Sequence, residues 1–90
     1  MAIVFRRSAE RHGISHDRAT FVITTCPGPL YAPVDEPALA DRVLFLGPDA
    51  GGVPLEIIGI ELDDGDLVVI HAMRMRRRYE RAYAQVMQWR

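Results

Sequence analysis

The segment RMRRRYERAY, at residues 74–83, concentrates the groups that bind or transform anions. It contains five arginines and two tyrosines, although the chain as a whole has a formal net charge of only -1. On a helix, four of these arginines would gather within an arc of about 100°. They are Arg74, Arg77, Arg78 and Arg81. Like charges on one helical face repel unless an anion lies across them, so the segment is either a solvated surface or a polyanion-binding surface.

Two aromatic side chains favour RNA as that polyanion. Tyr79 and Tyr83 lie among the arginines, and aromatic rings commonly stack on unpaired RNA bases. Arginine also forms bidentate contacts with phosphate. The predicted RNA-binding residues are Arg74, Arg77, Arg78, Arg81 and Tyr83.

His71 is the candidate for proton transfer. It lies near the end of an apolar run, just before the arginine cluster. An imidazole titrates close to neutral pH and can move the proton of a ribose 2′-hydroxyl. The alternative is a half-buried histidine bonded to the backbone, because strand alternation puts His71 on the same face as Leu67 and Val69. Both interpretations stay open on the sequence.

No metal or cofactor site is predicted. His12 and His16 are separated by Gly13, which breaks the helix that would bring them together, and no acid or cysteine completes a familiar ligand set. Cys26 is the one cysteine in the chain, which excludes an internal disulfide and a multi-cysteine zinc site. GPDAGG, at residues 47–52, lacks the lysine of a phosphate-binding loop and indicates a turn.

A chain of 90 residues predicts a single domain, residues 1–90. Its N-terminal part predicts two helices, the first polar and ended by Gly13 in a left-handed cap, the second N-capped by Ser15. The apolar residues of the second helix share one face. They are Ala19, Val22, Ile23 and Cys26.

The rest of the chain predicts a sheet and a last helix. A short edge strand at 30–33 and an acidic proline-containing loop at 34–41 precede strands at 42–47, 55–62 and 67–73. Asp64-Gly65 is a strong hairpin signal. From Met75 the apolar period becomes helical, through Tyr79, Ala82, Val86 and Trp89. The predicted fold is α+β, with two N-terminal helices, a three- to four-stranded antiparallel sheet and a C-terminal helix packed on it.

Charge is unevenly distributed along the chain. Residues 1–34 carry a net charge of +2, residues 35–66 of -8 and residues 67–90 of +5. This asymmetry suits one surface to a polyanion and another to a basic partner. No window approaches a membrane span and the N-terminus does not have the order of a secretory signal, so a cytoplasmic protein is expected.

A different function is suggested by SAERHGISHDRATFV, at residues 8–22. Its apolar positions and Gly13 match the spacing of a helix-turn-helix, which would make the chain a DNA reader through Ser15, His16 and Arg18. Such a unit normally needs a third helix to complete its core, whereas here the chain continues into strands. It remains the main alternative.

Several motifs together resemble the BrnT-like toxins of bacterial type II toxin–antitoxin systems. They are RHGIS after a short first helix, R-x-L-F-L-G-x-x-x-x-G at residues 42–52, and VIHAMRMRRRYERAY at residues 69–83. The resemblance implies a RelE-like fold and a ribonuclease that stops translation. It also implies a small cognate antitoxin, often of ribbon-helix-helix type, as partner, with a homo- or hetero-oligomer possible. Where members often show ISAR, this chain has IHAM, so His71 and Met73 depart from the pattern.

RNA cleavage without a metal needs a base for the 2′-hydroxyl, cations for the phosphate and an acid for the leaving oxygen. We assign proton transfer to His71, with His12 as a second proton carrier. Arg74, together with Arg77 or Arg78, would bind the phosphate. Tyr79 or Tyr83 would stack on a base. The predicted catalytic residues are His71, Arg74, Arg77, Arg78, Tyr79 and His12. The competing class is a non-enzymatic interaction module, in which the arginines hold an acidic partner.

Overall fold

The computed structural model describes residues 2–31 and 42–88, and these form a five-stranded mixed sheet with one α-helix on each face. The strands are β1 (Ile3–Phe5), β2 (Leu30–Tyr31), β3 (Val43–Pro48), β4 (Pro54–Glu61) and β5 (Leu67–Arg74), in the spatial order β1-β5-β4-β3-β2. The helices are α1 (His16–Thr25) and α2 (Glu80–Met87). Two 3-10 helices, Arg7–Glu10 and Arg77–Tyr79, complete the described elements.

The prediction of two N-terminal helices is wrong. Ile3–Phe5 forms β1, which pairs in parallel with β5, and the polar segment after it forms only the short 3-10 helix Arg7–Glu10. The β-branched and aromatic residues of β1 suit a half-buried strand. Their pairing partner lies more than sixty residues away, so no local pattern announces it.

The prediction of an entirely antiparallel sheet is also wrong, because β1 runs parallel to its neighbour, β5. The other pairings are antiparallel as expected, and β3, β4 and β5 each begin and end within one residue of the predicted limits. The Asp64-Gly65 turn joins β4 to β5, with Gly65 at φ 90°. The predicted acidic loop at 34–41 lies outside the described residues.

The second predicted helix is confirmed as α1. The Ser15 side chain accepts a hydrogen bond from the Arg18 backbone N–H at 3.2 Å, and Gly13 at φ 73° supplies the left-handed residue that precedes this cap. Ala19, Val22 and Ile23 are buried. They pack on one face of the sheet in a cluster that we call the α1-side core. Its members are Ala9, Ile14, Ala19, Val22, Ile23, Val43, Phe45, Leu55, Ile57, Leu67, Val69 and Ala72.

The opposite face of the sheet carries a smaller cluster, the α2-side core. Its buried members are Leu44, Leu46, Ile58 and Tyr79, against which Ala82 and Tyr83 pack. The last helix therefore follows the sheet and packs on it as predicted, but it begins at Glu80 rather than near Met75. The reason is that strand pairing continues to Arg74, and the Met75 N–H still bonds the Pro54 carbonyl at 3.0 Å. Trp89 lies outside the described residues.

One irregularity in the sheet positions the candidate site. Ile58 pairs with His71 and Gly59 with Val69, so Ile70 is an extra residue in β5 and makes a β-bulge. Gly59 is required here, since a Cβ would lie 2.7 Å from a Leu67 methyl carbon. The bulge reverses the alternation of the strand. His71 therefore lies opposite Ile58, on the α2 side of the sheet, and not on the face of Leu67 and Val69 as the sequence predicted.

Candidate active site

The centre of the site is Glu56, which the sequence analysis did not select. Its side chain is fully buried near the start of β4, the central strand of the sheet, where Glu56 pairs with Leu46 on one side and Met73 on the other. An ionised carboxylate is costly to bury unless partners satisfy it. Glu56 meets that requirement through two side chains, those of His71 and Arg76.

His71 contacts Glu56 through one ring nitrogen. Its Nε2 lies 2.9 Å from Glu56 Oε2, and 22% of the His71 side chain is exposed. Because a carboxylate only accepts hydrogen bonds, Nε2 carries a proton in this contact, and Nδ1 is the ring nitrogen left to exchange one with a substrate. The buried acid therefore fixes both the orientation and the tautomer of the imidazole.

Arg76 encloses the other side of the same carboxylate. Its backbone N–H donates to Oε1 at 2.7 Å, its Nε lies 3.1 and 3.0 Å from Oε1 and Oε2, and its Nη2 donates to Oε2 at 2.7 Å. This is a charge-assisted, forked contact of the strong kind. It ties the segment that follows β5 to the middle of the sheet.

These contacts determine the protonation state of the site. Burial raises the pKa of Glu56, but the hydrogen bonds from His71 and Arg76 outweigh it and lower the pKa from 4.5 to about 2. Glu56 is therefore ionised at neutral pH. A fixed negative charge beside His71 stabilises the imidazolium that forms whenever the ring takes up a proton.

His12 lies next to His71 although the two are 59 positions apart in the sequence. The ring centroids are 5.7 Å apart with the planes at 71°. The first 3-10 helix brings His12 there, since the Ser8 hydroxyl donates to the Ile70 carbonyl at 2.7 Å and so attaches this helix to the bulge in β5. His12 is exposed. The structure thus brings together both predicted proton carriers.

The arginines lie on three successive elements rather than on one helix. Arg74 ends β5, Arg77 and Arg78 are in the second 3-10 helix, and Arg81 is in α2; all four are exposed. The predicted 100° arc assumed a continuous helix from Met75, and that assumption is wrong. Arg74 lies at the same end of the sheet as Glu56, but it pairs with Leu55, so its side chain is on the α1 side and not on the face of His71.

The two tyrosines are packed against the sheet. Tyr79 is only 8% exposed, and the guanidinium carbons of Arg76 and Arg78 lie 5.8 and 5.1 Å from its ring centroid. Tyr83 is partly buried against the α2-side core. The buried Tyr79 ring therefore packs against Arg76 and Arg78, and it is not exposed for stacking on a nucleic-acid base.

A second buried acid has a different role. Asp49 accepts backbone N–H groups of Gly51 and Val53 at 2.9 Å and the Nε of Arg18 at 2.8 Å. The backbone hydrogen bond from Val53, with Arg18 and Gly51 assisting, lowers the pKa of Asp49 against the opposing effect of burial. This carboxylate stabilises the turn between β3 and β4 and attaches α1 to it.

Arg18 and His16 also bear on the helix-turn-helix hypothesis. Residues 7–10 form a 3-10 helix rather than the first helix of such a motif, and Ala19 and Val22 of α1 pack against the sheet. Arg18 is bonded to Asp49, and the His16 ring stacks on Phe5 with centroids 4.0 Å apart. The two-helix unit on which that hypothesis depended is absent from the described residues.

Neither a metal site nor a membrane span emerges from the described part of the chain. Residues 2–31 and 42–88 contain no group of three or more His, Cys, Asp or Glu side chains arranged to hold a metal ion. In the same ranges no helix combines the length and apolar character needed to cross a membrane.

Sequence did contain a signal for Glu56. In the run LEIIGIEL, at residues 55–62, alternation places Glu56 with Ile58 and Ile60, so an acid interrupts an otherwise isoleucine-lined strand face. The signal for Arg76 is weaker, because nothing local distinguishes it from its arginine neighbours.

In comparisons with known proteins, no family model, no curated protein and no solved structure matches the chain. Its function is therefore inferred from the geometry of this site.

Proposed function

We propose that this protein is a metal-independent endoribonuclease that acts as the toxin of a type II toxin–antitoxin pair. One observation supports the enzymatic part most directly. A buried, ionised Glu56 orients His71 through Nε2, and a second imidazole, His12, lies beside it at the arginine-rich end of the sheet. A carboxylate that orients an imidazole is the arrangement by which enzymes prepare a general base.

In the proposed reaction, His71 Nδ1 takes the proton of the ribose 2′-hydroxyl. The resulting oxyanion attacks the adjacent phosphorus, and His12 gives a proton to the departing 5′-oxygen. Glu56 remains ionised throughout and stabilises the His71 imidazolium. General acid and general base steps of this kind each contribute about a hundredfold or more to rate.

Exposed guanidinium groups hold the RNA in this scheme. Arg77 and Arg81 are exposed and available for phosphate contacts, whereas Arg76 is engaged by Glu56 and Arg74 lies on the α1 side of the sheet. Arginine neutralises the phosphate oxygens on which charge develops in the transition state. We place the activity in the cytoplasm, where RNA and a translation target are present.

The toxin part of the proposal is supported by the motifs that resemble BrnT-like toxins, which span most of the chain. This resemblance predicts that a neighbouring gene encodes a small antitoxin of the ribbon-helix-helix kind. The antitoxin would be acidic or of mixed charge and would cover the arginine segment. A non-enzymatic module that merely binds such a partner would need the arginines but not a proton-transfer pair. The His12–His71 arrangement favours the enzyme.

The test is RNA cleavage by the purified chain in the presence of a chelator. We expect His71→Ala and His12→Ala each to lower the cleavage rate by about a hundredfold. His16→Ala is the matched control, since it removes a histidine that stacks on Phe5 and leaves Glu56 and His71 untouched. Controlled expression of the wild type should arrest growth, and His71→Ala should relieve the arrest.

Intact RNA and normal growth at verified expression would contradict the proposal. Equal activity in the wild type and in both site variants would do the same, because cleavage would then come from a contaminant. Binding of RNA or an acidic protein without cleavage would favour the interaction module.

A further inference from the structure

We infer that the same site carries a second activity, the hydrolysis of nucleoside 2′,3′-cyclic phosphates to 3′-phosphates. This inference rests on the proposed ribonuclease function and extends it to the fate of the product. It follows from three features of the structure: the fixed tautomer of His71, the neighbouring second imidazole and the exposure of the site.

The first step leaves the two histidines with exchanged protons. His71 has taken a proton at Nδ1 and His12 has lost one, while the cleaved strand ends in a 2′,3′-cyclic phosphate. Glu56, ionised and 2.9 Å from Nε2, stabilises the His71 imidazolium and so keeps the site in this exchanged state. A site in the exchanged state is set up for the reverse direction of proton transfer.

Water can then take the place of the departed 5′-oxygen. His12 accepts a proton from the water molecule as its oxygen forms a bond to phosphorus. The bond between phosphorus and O2′ breaks, its electron pair goes to O2′, and His71 Nδ1 returns a proton to that oxygen. One water is added, a 3′-phosphate monoester is formed, and both histidines recover their starting protonation states.

The positions of the two rings allow both roles. The two rings are in edge-to-face contact with centroids 5.7 Å apart, so a phosphate group bound by one imidazole lies close to the other. His12 is exposed, so water reaches the side of the site from which the leaving strand departs. The same exposure lets the cyclic product dissociate, and hydrolysis is therefore expected to be slower than strand cleavage.

The experiment uses the full chain and two probes, a short RNA and a nucleoside 2′,3′-cyclic monophosphate, in water enriched in heavy oxygen. The cyclic ester formed by cleavage gains no heavy oxygen, whereas its hydrolysis places one in the phosphate, so mass spectrometry separates the two steps. We expect both products from the wild type, the 3′-phosphate accumulating later. His12→Ala and His71→Ala should each slow hydrolysis of the cyclic monophosphate by about a hundredfold. His16→Ala should retain both activities.

The possible failures are distinguishable. RNA cleavage accompanied by a cyclic phosphate that persists over many turnovers overturns this inference and leaves the ribonuclease intact. Hydrolysis that is unchanged in His12→Ala overturns it as well. Hydrolysis of the cyclic monophosphate without RNA cleavage supports the inferred site chemistry and contradicts the ribonuclease proposal.

Discussion

The two faces of the sheet bury different kinds of side chain. The α1-side core contains twelve buried residues, all of them apolar. Among residues 2–31 and 42–88, the α2 side has a cluster of four buried residues, and beside it lies a buried carboxylate bonded to a histidine and an arginine. One face provides most of the apolar burial and the other holds the polar groups in a fixed arrangement. Substitutions on the two faces should therefore have separable effects.

The largest expected effect is on stability, from the α1 side. Ile57 is fully buried, so Ile57→Ala should lower the free energy of unfolding by about 4 kcal/mol through lost burial and the cavity left behind. Urea denaturation measures this loss, and the RNA-cleavage rate per folded molecule should stay near that of the wild type. Val4→Ala, at an exposed apolar position of β1, should change stability by less than about 0.5 kcal/mol. A loss in Ile57→Ala as small as in Val4→Ala would break the comparison.

Acid should selectively weaken the α2 side. The pKa of Glu56 is about 2 in the folded protein, against an ordinary value of 4.5 that applies in the unfolded chain. Its contribution is therefore complete above about pH 4.5 and is lost as the pH falls toward 2, with a magnitude on the order of 3 kcal/mol. Denaturant unfolding at a series of pH values, from neutral downward, measures this loss of stability.

Glu56→Gln provides the matching variant for that experiment. It should be less stable than the wild type at neutral pH by about 2 kcal/mol, because charge-assisted hydrogen bonds from Arg76 and His71 are weakened. Its stability should depend much less on pH between 4.5 and 2. If both proteins lose stability in parallel on acidification, other carboxylates are responsible.

On the chemistry, His71→Ala should cost about a hundredfold in rate, which corresponds to about 3 kcal/mol of transition-state stabilisation but to little folding energy. Because 22% of the side chain is already exposed and Arg76 still pairs with Glu56, we expect the unfolding midpoint to shift only slightly. Activity and denaturation curves measured on the same preparation sharpen the comparison. A variant that loses activity only because it unfolds would contradict the assignment.

The smallest effect concerns RNA binding. With about three phosphate contacts, doubling the salt concentration should weaken binding to single-stranded RNA by roughly fourfold. Arg77→Ala combined with Arg81→Ala should remove about two contacts and reduce that factor to roughly 1.6. Arg42→Ala is the control, since Arg42 precedes β3 at the opposite end of the sheet. If Arg42→Ala reduced the salt dependence of RNA binding by the same amount, binding would be due to a diffuse electrostatic surface and not to a defined site.

Local patterns in the sequence predicted the local parts of the fold. Strands β3 to β5, the Asp64-Gly65 turn and the Ser15 cap were all predictable, because each depends on neighbours within a few residues. The strand β1 was missed because its pairing with β5 is remote in sequence. Helix α2 begins later than its apolar period indicated because Arg76 is bound to Glu56 on another strand.

The candidate site was predictable in part for the same reason. His71 and His12 were identifiable as chemical groups, but their proximity depends on a bulge and on the Ser8 contact to Ile70, neither of which has a local signature. Glu56 carried a signal as an acid on an isoleucine-lined strand face. Its role required knowing which side chain lies across the sheet, and alternation counted from Leu67 gave the wrong face for His71.

The bulge at Ile70 also has a genetic consequence. A bulge is a single extra residue, so deletion of one codon at Ile70 would leave Val69 opposite Gly59 and the next residue, His71, opposite Ile58, still on the α2 side. Glu56 would keep its imidazole partner, whereas Ser8 would lose the Ile70 carbonyl that now accepts its hydrogen bond. An in-frame deletion of three nucleotides is therefore expected to loosen the attachment of the first 3-10 helix, and with it the position of His12, without moving His71 to the other face of the sheet.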